Sequence, residues 1–397
     1  MPIDLPTGSS PARVAFYNDP KVRSIAYQVA LCAVIGFLVY GAVRNAVDNL
    51  ERAHIASGFG FWSHTAGFDI SQTLISFSSA TSSYGRAFWV GLLNTLLVAG
   101  LGIVFASVLG FIIGIARLSK NWLVAKVAGG YVETIRNLPL LLQLLFWYNA
   151  VLKALPEMRE SFVVRGGIFL NNRGLFIPQP IFKDGFGFVL VALAAGIVGA
   201  IAFYVWARKR QERTGQQAPV FSAALALVFG LPLVTLALAG FPLGFDYPVA
   251  GRFNINGGIE VLPEFAALLF GLSIYTAAFI AEVVRAGITA VSRGQTEAAY
   301  SLGLKAGPTL RLIVMPQAMR VIIPPLTSQY LNLTKNSTLA VAIGYPDLVQ
   351  VFTGTVLNQT GQAVEVVAIT MAVYLTISLA TSLLMNIYNS RIALVER

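Results

Sequence analysis

Charge is what this chain lacks first. Only 12% of its 397 residues are Asp, Glu, Lys or Arg, where a soluble domain carries about a quarter. Hydrophobic residues reach 56% and the mean hydropathy is +0.70. Such a composition, with repeated long apolar runs, places the chain among integral membrane proteins. Cysteine is nearly absent too: Cys32 stands alone in an apolar run, which excludes a disulfide within the chain and leaves an inert side chain. The two histidines, His54 and His64, and the lack of any Cys cluster give no reason to expect a metal site or a Ser/His/Asp arrangement. No G-x-x-x-x-G-K-[ST] stretch is present, so no nucleotide is expected on a P-loop of this chain. Neither a catalytic residue nor a resident cofactor is expected. The net charge of +10 lies on the flanks of apolar runs, which reads as membrane orientation and not as nucleic-acid binding.

About 20 apolar residues cross a bilayer as a helix. On that measure about eight spans are expected, near 24–44, 88–116, 127–152, 187–206, 219–241, 262–284, 320–344 and 364–388. The first run follows a polar stretch and precedes no small-x-small cleavage site, so it is expected to stay in the mature protein. Two spans are unusual. The third holds Glu133, Arg136 and Pro139, so its first part reads as an amphipathic lead-in with burial from Leu138 onward. The seventh holds Pro324, Pro325 and Lys335, too polar for a lipid-facing helix. With the N-terminus inside, basic residues concentrate on the inner segments, led by "ARKRQER" after the fourth span. Arg13, Arg117, Lys120, Arg293 and Arg397 fall on the same side, while the longer outer loops carry fewer, among them Arg52, Arg165 and Arg252. Both termini are therefore expected in the cytoplasm. In the first outer loop, Phe59, Phe61, Trp62 and Phe68 are expected to rest at the bilayer interface.

One polar stretch interrupts the oil: "EAAYSLGLKAGPTLRLIVMP", Glu297 to Pro316. Within the segment 291–316 it reads as two short helices joined by a turn. Ser292 or Thr296 can cap the first, Glu297 in the first turn suits the positive helix end, and Ala298 and Ala299 offer a small surface to another backbone. Gly303 is placed to stop the helix, and Pro308 to sit at the first position of the next. A short, small-surfaced helix with one acid is shaped to plug a groove in a partner.

The spacing E-A-A, three residues, G, nine residues, I, one residue, hydrophobe, P resembles the EAA loop of ABC importer permeases. Here it falls on Glu297, Ala298, Ala299, Gly303, Ile313, Met315 and Pro316, with Met315 where Leu is usual. "YTAAFIAEVVRAGI", "RLIVMPQAMRVIIPPLTSQYLNLTKNSTLA" and "YVETIRNLPLLLQLLFWY" are similar to the polar-amino-acid branch of that family, though Asn137-Leu138 replaces Gly-Thr before the proline. The resemblance covers about 87–152 and 262–390. It implies an all-α integral membrane protein whose five-span, type I importer permease core lies in 87–390. Spans near 187–241 are inserted in that core, and 1–86 forms a tail, a first span and an outer loop. Long members of this kind occur in general L-amino-acid and glutamate/glutamine/aspartate/asparagine systems, so the bacterial inner membrane is implied. The resemblance also implies a cytoplasmic ABC ATPase dimer that uses the ATP, a second homologous permease and a periplasmic amino-acid-binding protein as partners. In the family the EAA loop is the coupling helix that docks on the ATPase.

Charged and amide side chains within a span face a cavity or a partner. Gln329, Asn332, Lys335, Asn336, Ser337 and Thr338 crowd the seventh span, where Pro324-Pro325 can break the helix and free carbonyls. These residues read either as a lining for the amino and carboxylate groups of a substrate or as glue between helices. Glu133–Arg136 and Glu282–Arg285 are spaced for local i, i+3 pairing. Gly110 and Gly114 make a G-x-x-x-G step for close helix packing, within the chain or between permeases. The rival function is an ion-gradient-driven secondary transporter, a class that tends to show two internally related halves with matching broken helices; a break is expected only in the seventh span.

Overall fold

The computed structural model describes residues 20–52, 57–164, 166–251 and 254–392. Arg13, His54, Arg165, Arg252 and Arg397 of the sequence reading lie outside them, as does most of the tail before the first span. Helix α1 (Pro20–Arg52) leads, followed by a 3₁₀ turn at Gly60–Ser63. Helix α2 (Tyr84–Ala116) starts at Ser83, whose hydroxyl accepts from the Arg86 N–H at 3.3 Å, as an N-cap should. Helix α3 (Trp122–Asn137) is capped by Asn121, whose side-chain oxygen accepts from Leu123 and Val124 at 3.0 and 3.4 Å. It ends because Leu138, the residue before Pro139, takes extended backbone. Helix α4 (Leu140–Leu145) then resumes and runs into a π-helical stretch, Phe146–Leu152. Gln143 stitches the break, donating to the carbonyls of Ile135 and Leu138 at 2.9 and 3.0 Å.

An inserted unit follows. Strands β1 (Phe162–Val164), β2 (Ile168–Asn171), β3 (Gly174–Ile177) and β4 (Gln179–Phe182) precede helix α5 (Phe186–Thr214). Helices α6 (Val220–Leu225) and α7 (Leu231–Leu238), joined by a π-helical turn, lead back to strands β5 (Leu243–Asp246), β6 (Val249–Ala250), β7 (Ile255–Asn256) and β8 (Ile259–Val261). The strands correct the expectation of an all-α chain: β1-β2-β3-β8 form an antiparallel sheet, and β4-β5 and β6-β7 form two ribbons. Their cause is local, since runs such as Phe162-Val163-Val164 and Gly174-Leu-Phe-Ile are β-formers bounded by Gly-rich or Asn-Arg turns. The pairings β3-β8 and β4-β5 tie the two ends of the insertion together. Helix α5 packs on the α6–α7 pair so closely that a Cβ at Gly196 would collide with the Leu227 carbonyl.

The core resumes with α8 (Pro263–Thr289), the short α9 (Arg293–Ser301) and α10 (Ala306–Thr309), and a π-helical turn at Leu310–Val314. Helix α11 (Met315–Asn336) passes into a 3₁₀ stretch, Ser337–Ile343. A π-helical stretch, Val349–Val356, then leads to α12 (Leu357–Thr360) and α13 (Ala363–Ile392). Helix α8 is the spine: Leu268, Leu272, Ile280 and Val284 are all fully buried. Gly110 and Gly114 press α2 against it. A Cβ at Gly110 would stand 2.5 Å from Ile280 Cγ2, and one at Gly114 2.8 Å from the Ala281 carbonyl oxygen. The G-x-x-x-G step therefore serves packing inside this chain.

Two expectations are corrected here. Helix α11 does not break at Pro324-Pro325 but runs through both. Each proline removes the N–H that would serve the carbonyl one turn earlier and crowds that carbonyl with its ring, but the fully buried Ile322 and Leu326, 4% exposed, hold the helix to the core. The break comes later, at Ser337. Phe61, Trp62 and Phe68 are not a free interfacial belt; Phe61 is 3% exposed, packed against Tyr84 and Phe352, and only Phe59 faces out. The expected number of spans is left open: among the described residues six helices are long and apolar enough to cross a membrane, at 22–45, 84–116, 186–214, 220–238, 263–289 and 363–390, with a shorter apolar one at 140–152. The expected third span is divided at Pro139, and the seventh is polar along one face.

Past the 3₁₀ stretch, buried non-helical backbone at Tyr345–Asp347 is satisfied by α2. Asn94 donates to the Pro346 carbonyl at 2.9 Å, the Leu348 N–H donates to Thr95 Oγ1 at 3.0 Å, and the Tyr345 hydroxyl donates to the Asn94 carbonyl at 3.2 Å. The fully buried Asp347 accepts from the Gln350 N–H at 2.8 Å and the Tyr374 hydroxyl at 3.2 Å. Irregular backbone is tolerated at membrane depth only with such partners. The sequence reading missed this knot entirely.

Candidate functional site

The polar segment leaves α8 at Thr289 and turns through Ala290–Ser292 into α9. Ser292 takes the N-cap position, but its hydroxyl makes no capping bond; its carbonyl accepts from the Gln295 N–H at 3.1 Å instead. Glu297 is the fifth residue of α9, so it sits in the second turn and not the first. It is exposed, as are Gly294, Ala298 and Ser301. These four recur at i, i+3, i+4 and i+7, one helix face. The two alanines part company: Ala298 faces out, whereas Ala299 is 1% exposed and faces the chain's own core. A helix cannot present both of two adjacent residues to one partner. The outward surface is therefore Gly294, Glu297, Ala298 and Ser301, small apart from its single carboxylate.

Gly303 ends the helix as expected. Its φ is +79°, in the left-handed region, which glycine enters without the Cβ penalty. The Gly303 N–H donates to the Tyr300 carbonyl at 2.9 Å and the Leu304 N–H to the Ala299 carbonyl at 3.1 Å, the two bonds of a Schellman cap. Pro308 is the third residue of α10, and Lys305 stands at its N-cap. Between this segment and the helix ends lies a cavity of about 620 Å³, lined among others by Ile115, Leu118, Val124, Thr296, Tyr300 and Leu310. The segment is joined to the helical core through the three residues after α8 and the π-helical turn into α11, and seats Ala299 and Thr309 against the chain.

On α11, Val321, Pro325, Ser328, Asn332 and Lys335 are exposed, a stripe at helical period running the length of the helix. Gln329 and Asn336 are half-buried at its margin. Of the six residues singled out there, these four share one side. Ser337 does not: it is fully buried and donates to the Thr334 carbonyl at 2.7 Å, because the change to 3₁₀ winding turns it into the core. Thr338, half-buried, donates to the Lys335 carbonyl at 2.8 Å.

The charged pairs rearrange. Glu282 takes Arg285 as expected, Nη2 to Oε1 at 2.5 Å, but also accepts from Arg117, with Arg136 Nη1 at 3.9 Å. Arg136 also stacks over Phe279, 5.1 Å from the ring centroid, so the local Glu133–Arg136 pair is not made. One carboxylate therefore joins the end of α2, α3 and α8 shortly before α9. An i, i+3 spacing proposes a partner; a nearer acid on another helix supersedes it.

Several helices long and apolar enough to cross a membrane, with the central α8 followed by a short, capped helix that exposes a small face, make up the architecture. Comparison with known proteins gives the family. The family described as "Binding-protein-dependent transport system inner membrane component" matches residues 213–394. The chain is 54% identical over 385 residues to the general L-amino acid transport system permease protein AapQ of Rhizobium johnstonii, covering 97% of this chain and 96% of that protein. It is 53% identical over 382 residues to the putative amino-acid ABC transporter permease protein YhdX of Escherichia coli, covering 96% and 97%. The glutamate/glutamine/aspartate/asparagine transport system permease protein BztB of Rhodobacter capsulatus is 43% identical over 410 residues, at 96% of each. The chain belongs to this family of ABC transporter permeases, and matches of this length run through the inserted α5–α7 unit.

Proposed function

We infer that this chain is the membrane permease of an ATP-driven, binding-protein-dependent importer of L-amino acids. The observation that carries the reading is the α9 segment: a rigid, Schellman-capped helix presenting Gly294, Glu297, Ala298 and Ser301. Its small face admits a partner's backbone, and its lone acid gives the contact a polarity. The partner is a cytoplasmic ABC ATPase dimer, which uses the ATP. The segment is accordingly on the cytoplasmic side of the bacterial inner membrane, both termini are inside, and the chain crosses about eight times when the divided third and polar seventh passages are included.

Motion transmitted to α9 is delivered to α8, which is buried along most of its length and carries α2, α4 and α11 with it. Helix α11 is held to α8 by the insertion of Ile322 beside Gly287. Packed interiors shift as units between discrete arrangements, so closure of the ATPase biases the helices between outward- and inward-open states. The moving surface that matters is the stripe of Ser328, Asn332 and Lys335, with Gln329 and Asn336 beside it. Facing hydrocarbon, one lysine alone would cost about 2.5–3.5 kcal/mol on insertion scales. The stripe instead faces water and a second, homologous permease across the path. Lys335 attracts the carboxylate common to amino acids, and the amides pair with the ammonium. A periplasmic amino-acid-binding protein delivers the substrate at the opposite end, where the β-strands lie.

Reconstituted vesicles test this directly. Uptake that requires internal ATP and an added binding protein, and persists when an uncoupler collapses ion gradients, is the expected result. Uptake abolished by the uncoupler at constant ATP would establish a secondary transporter instead.

A further inference from the structure

At the coupling-segment end lies a second cavity, of about 280 Å³, between the end of α2, the face of α3 and α8. That is just below the range of drug-sized ligand sites, roughly 300–1,000 Å³, and suits a small headgroup or metabolite. Its lining is unlike the apolar cavity beneath α9: Arg117, Lys126 and Arg285 bring positive charge, and Glu133 brings the opposite sign. Arg117 and Arg285 are fixed by Glu282, which uses only part of the five N–H groups each guanidinium carries. Lys126 and Glu133 make no ion pair among the described residues.

The α3 wall is built in register. Lys126, Gly129, Gly130 and Glu133 recur at i, i+3, i+4 and i+7, so all four share one face. Seven residues of helix rise about 10 Å, which spaces Lys126 and Glu133 at opposite ends of that wall. The two glycines between them are not required by backbone or packing. Neither has positive φ, and a Cβ built on either meets nothing within 4 Å. Each weakens the helix by roughly 0.5–1 kcal/mol relative to alanine. What the pair does is leave the floor of the cavity open between a cation and an anion.

We propose that this cavity binds a zwitterion, its anionic group held by Lys126, Arg117 and Arg285 and its ammonium by Glu133. Two sources carry that chemistry: the headgroup of phosphatidylethanolamine in the inner leaflet, and a free amino acid. Exposed Trp122, Leu123 and Val127 beside the cavity place α3 against lipid, and basic pockets between helices at the cytoplasmic face are lipid-headgroup sites in general. Because Glu282 joins the same three helices just ahead of α9, occupancy stiffens the helix ends through which coupling passes. The leaflet and the effect on coupling rest on the importer reading, whereas binding itself is measured without ATP, partner or transport, so the two fail separately.

The full chain is placed in nanodiscs of equal phosphatidylethanolamine and phosphatidylglycerol, and retained lipid is weighed by native mass spectrometry. A second arm measures equilibrium binding of labelled L-glutamine in discs of phosphatidylglycerol alone. Wild type should hold phosphatidylethanolamine in preference to phosphatidylglycerol, which assigns the lipid source, or bind glutamine saturably, which assigns the free amino acid. Either affinity should fall by about tenfold or more in Lys126→Gln and in Glu133→Gln, the loss of one charge-assisted contact. Both side chains are exposed and unpaired among the described residues, so the variants should fold, and Lys120→Gln, outside the cavity, should bind as wild type. Failure to hold either probe, equal retention of phosphatidylglycerol, or undiminished binding by both variants would overturn the site.

Discussion

Replacing Gly303 by alanine isolates one backbone angle at the centre of the coupling segment. Its φ of +79° lies where L-residues are strained, and a Cβ there meets nothing within 4 Å. The cost is therefore the left-handed conformation alone, about 1–2 kcal/mol for an ordinary L-residue. That energy acts locally, on the cap that orients α9, because Gly303 itself is exposed at the end of that helix. At 25 °C it corresponds to a factor of about 5–30 in the population of the docking-competent segment. The assay is titration of the purified ATPase subunit onto the reconstituted permease, read as amino-acid-stimulated ATP hydrolysis. Half-saturation should rise by about 5–30-fold in Gly303→Ala. It should rise less in Gly303→Asn, since asparagine tolerates the left-handed region, and more in the β-branched Gly303→Val. Gly307 supplies the control: it lies in α10 without positive φ and with open space around it, so Gly307→Ala should be neutral or mildly favourable. Equal coupling in the glycine, alanine and valine proteins at 303 would refute the reasoning, as would equal damage from Gly307→Ala.

Gly110→Leu and Gly114→Leu should each lower thermal stability in detergent by about 1–3 kcal/mol, the usual range for overpacking, because Ile280 and Ala281 stand in the way. Gly100→Leu, with nothing within 4 Å, should unfold as wild type. Glu282→Gln removes the carboxylate shared by three arginines whose side chains are 16–41% exposed; such pairs contribute about 0.2–1 kcal/mol each. The stability gap between wild type and this variant should narrow as salt is raised, since partly exposed pairs are screened; a gap independent of ionic strength would contradict the charge account. Lys335→Ala should raise the substrate concentration for half-maximal uptake by about 10–100-fold, the range for a charge-assisted hydrogen bond, and Asn332→Ala by less. Unchanged uptake in both would return the α11 stripe to a helix-packing role.

Much of the fold is legible in apolar length. Long runs such as Tyr84–Ala116 cannot be anything but helices in lipid, where every backbone group must find a partner within its own segment. Gly303 was legible as well, because a glycine between a helical pattern and a restart has one common use. What escaped the sequence depends on contacts between distant segments. Pro324-Pro325 look like a break until the burial of Ile322 and Leu326 is known. Arg136 looks paired with Glu133 until α8 brings Glu282 near. The sheet of β1-β2-β3-β8 needs Leu175 to meet Val261 and Ile177 to meet Ile259 across the whole insertion, and no period in a four-residue run announces that. The division of Ala298 from Ala299 follows from helix phase, which motif matching ignores. The knot of Asn94, Thr95, Tyr345 and Asp347 has no local signature, since its members are polar residues inside otherwise apolar text.

The most direct test of the coupling claim is to affinity-purify this chain from native membranes in mild detergent, beside Glu297→Lys and Gly303→Asp variants, and to identify what accompanies each. Wild type should bring down a P-loop ATPase and a second permease. Both variants should keep the permease and lose the ATPase, because only the α9 face has changed. An ATPase retained in full by both variants, or a wild-type chain that purifies alone and transports in liposomes without ATP, would contradict it.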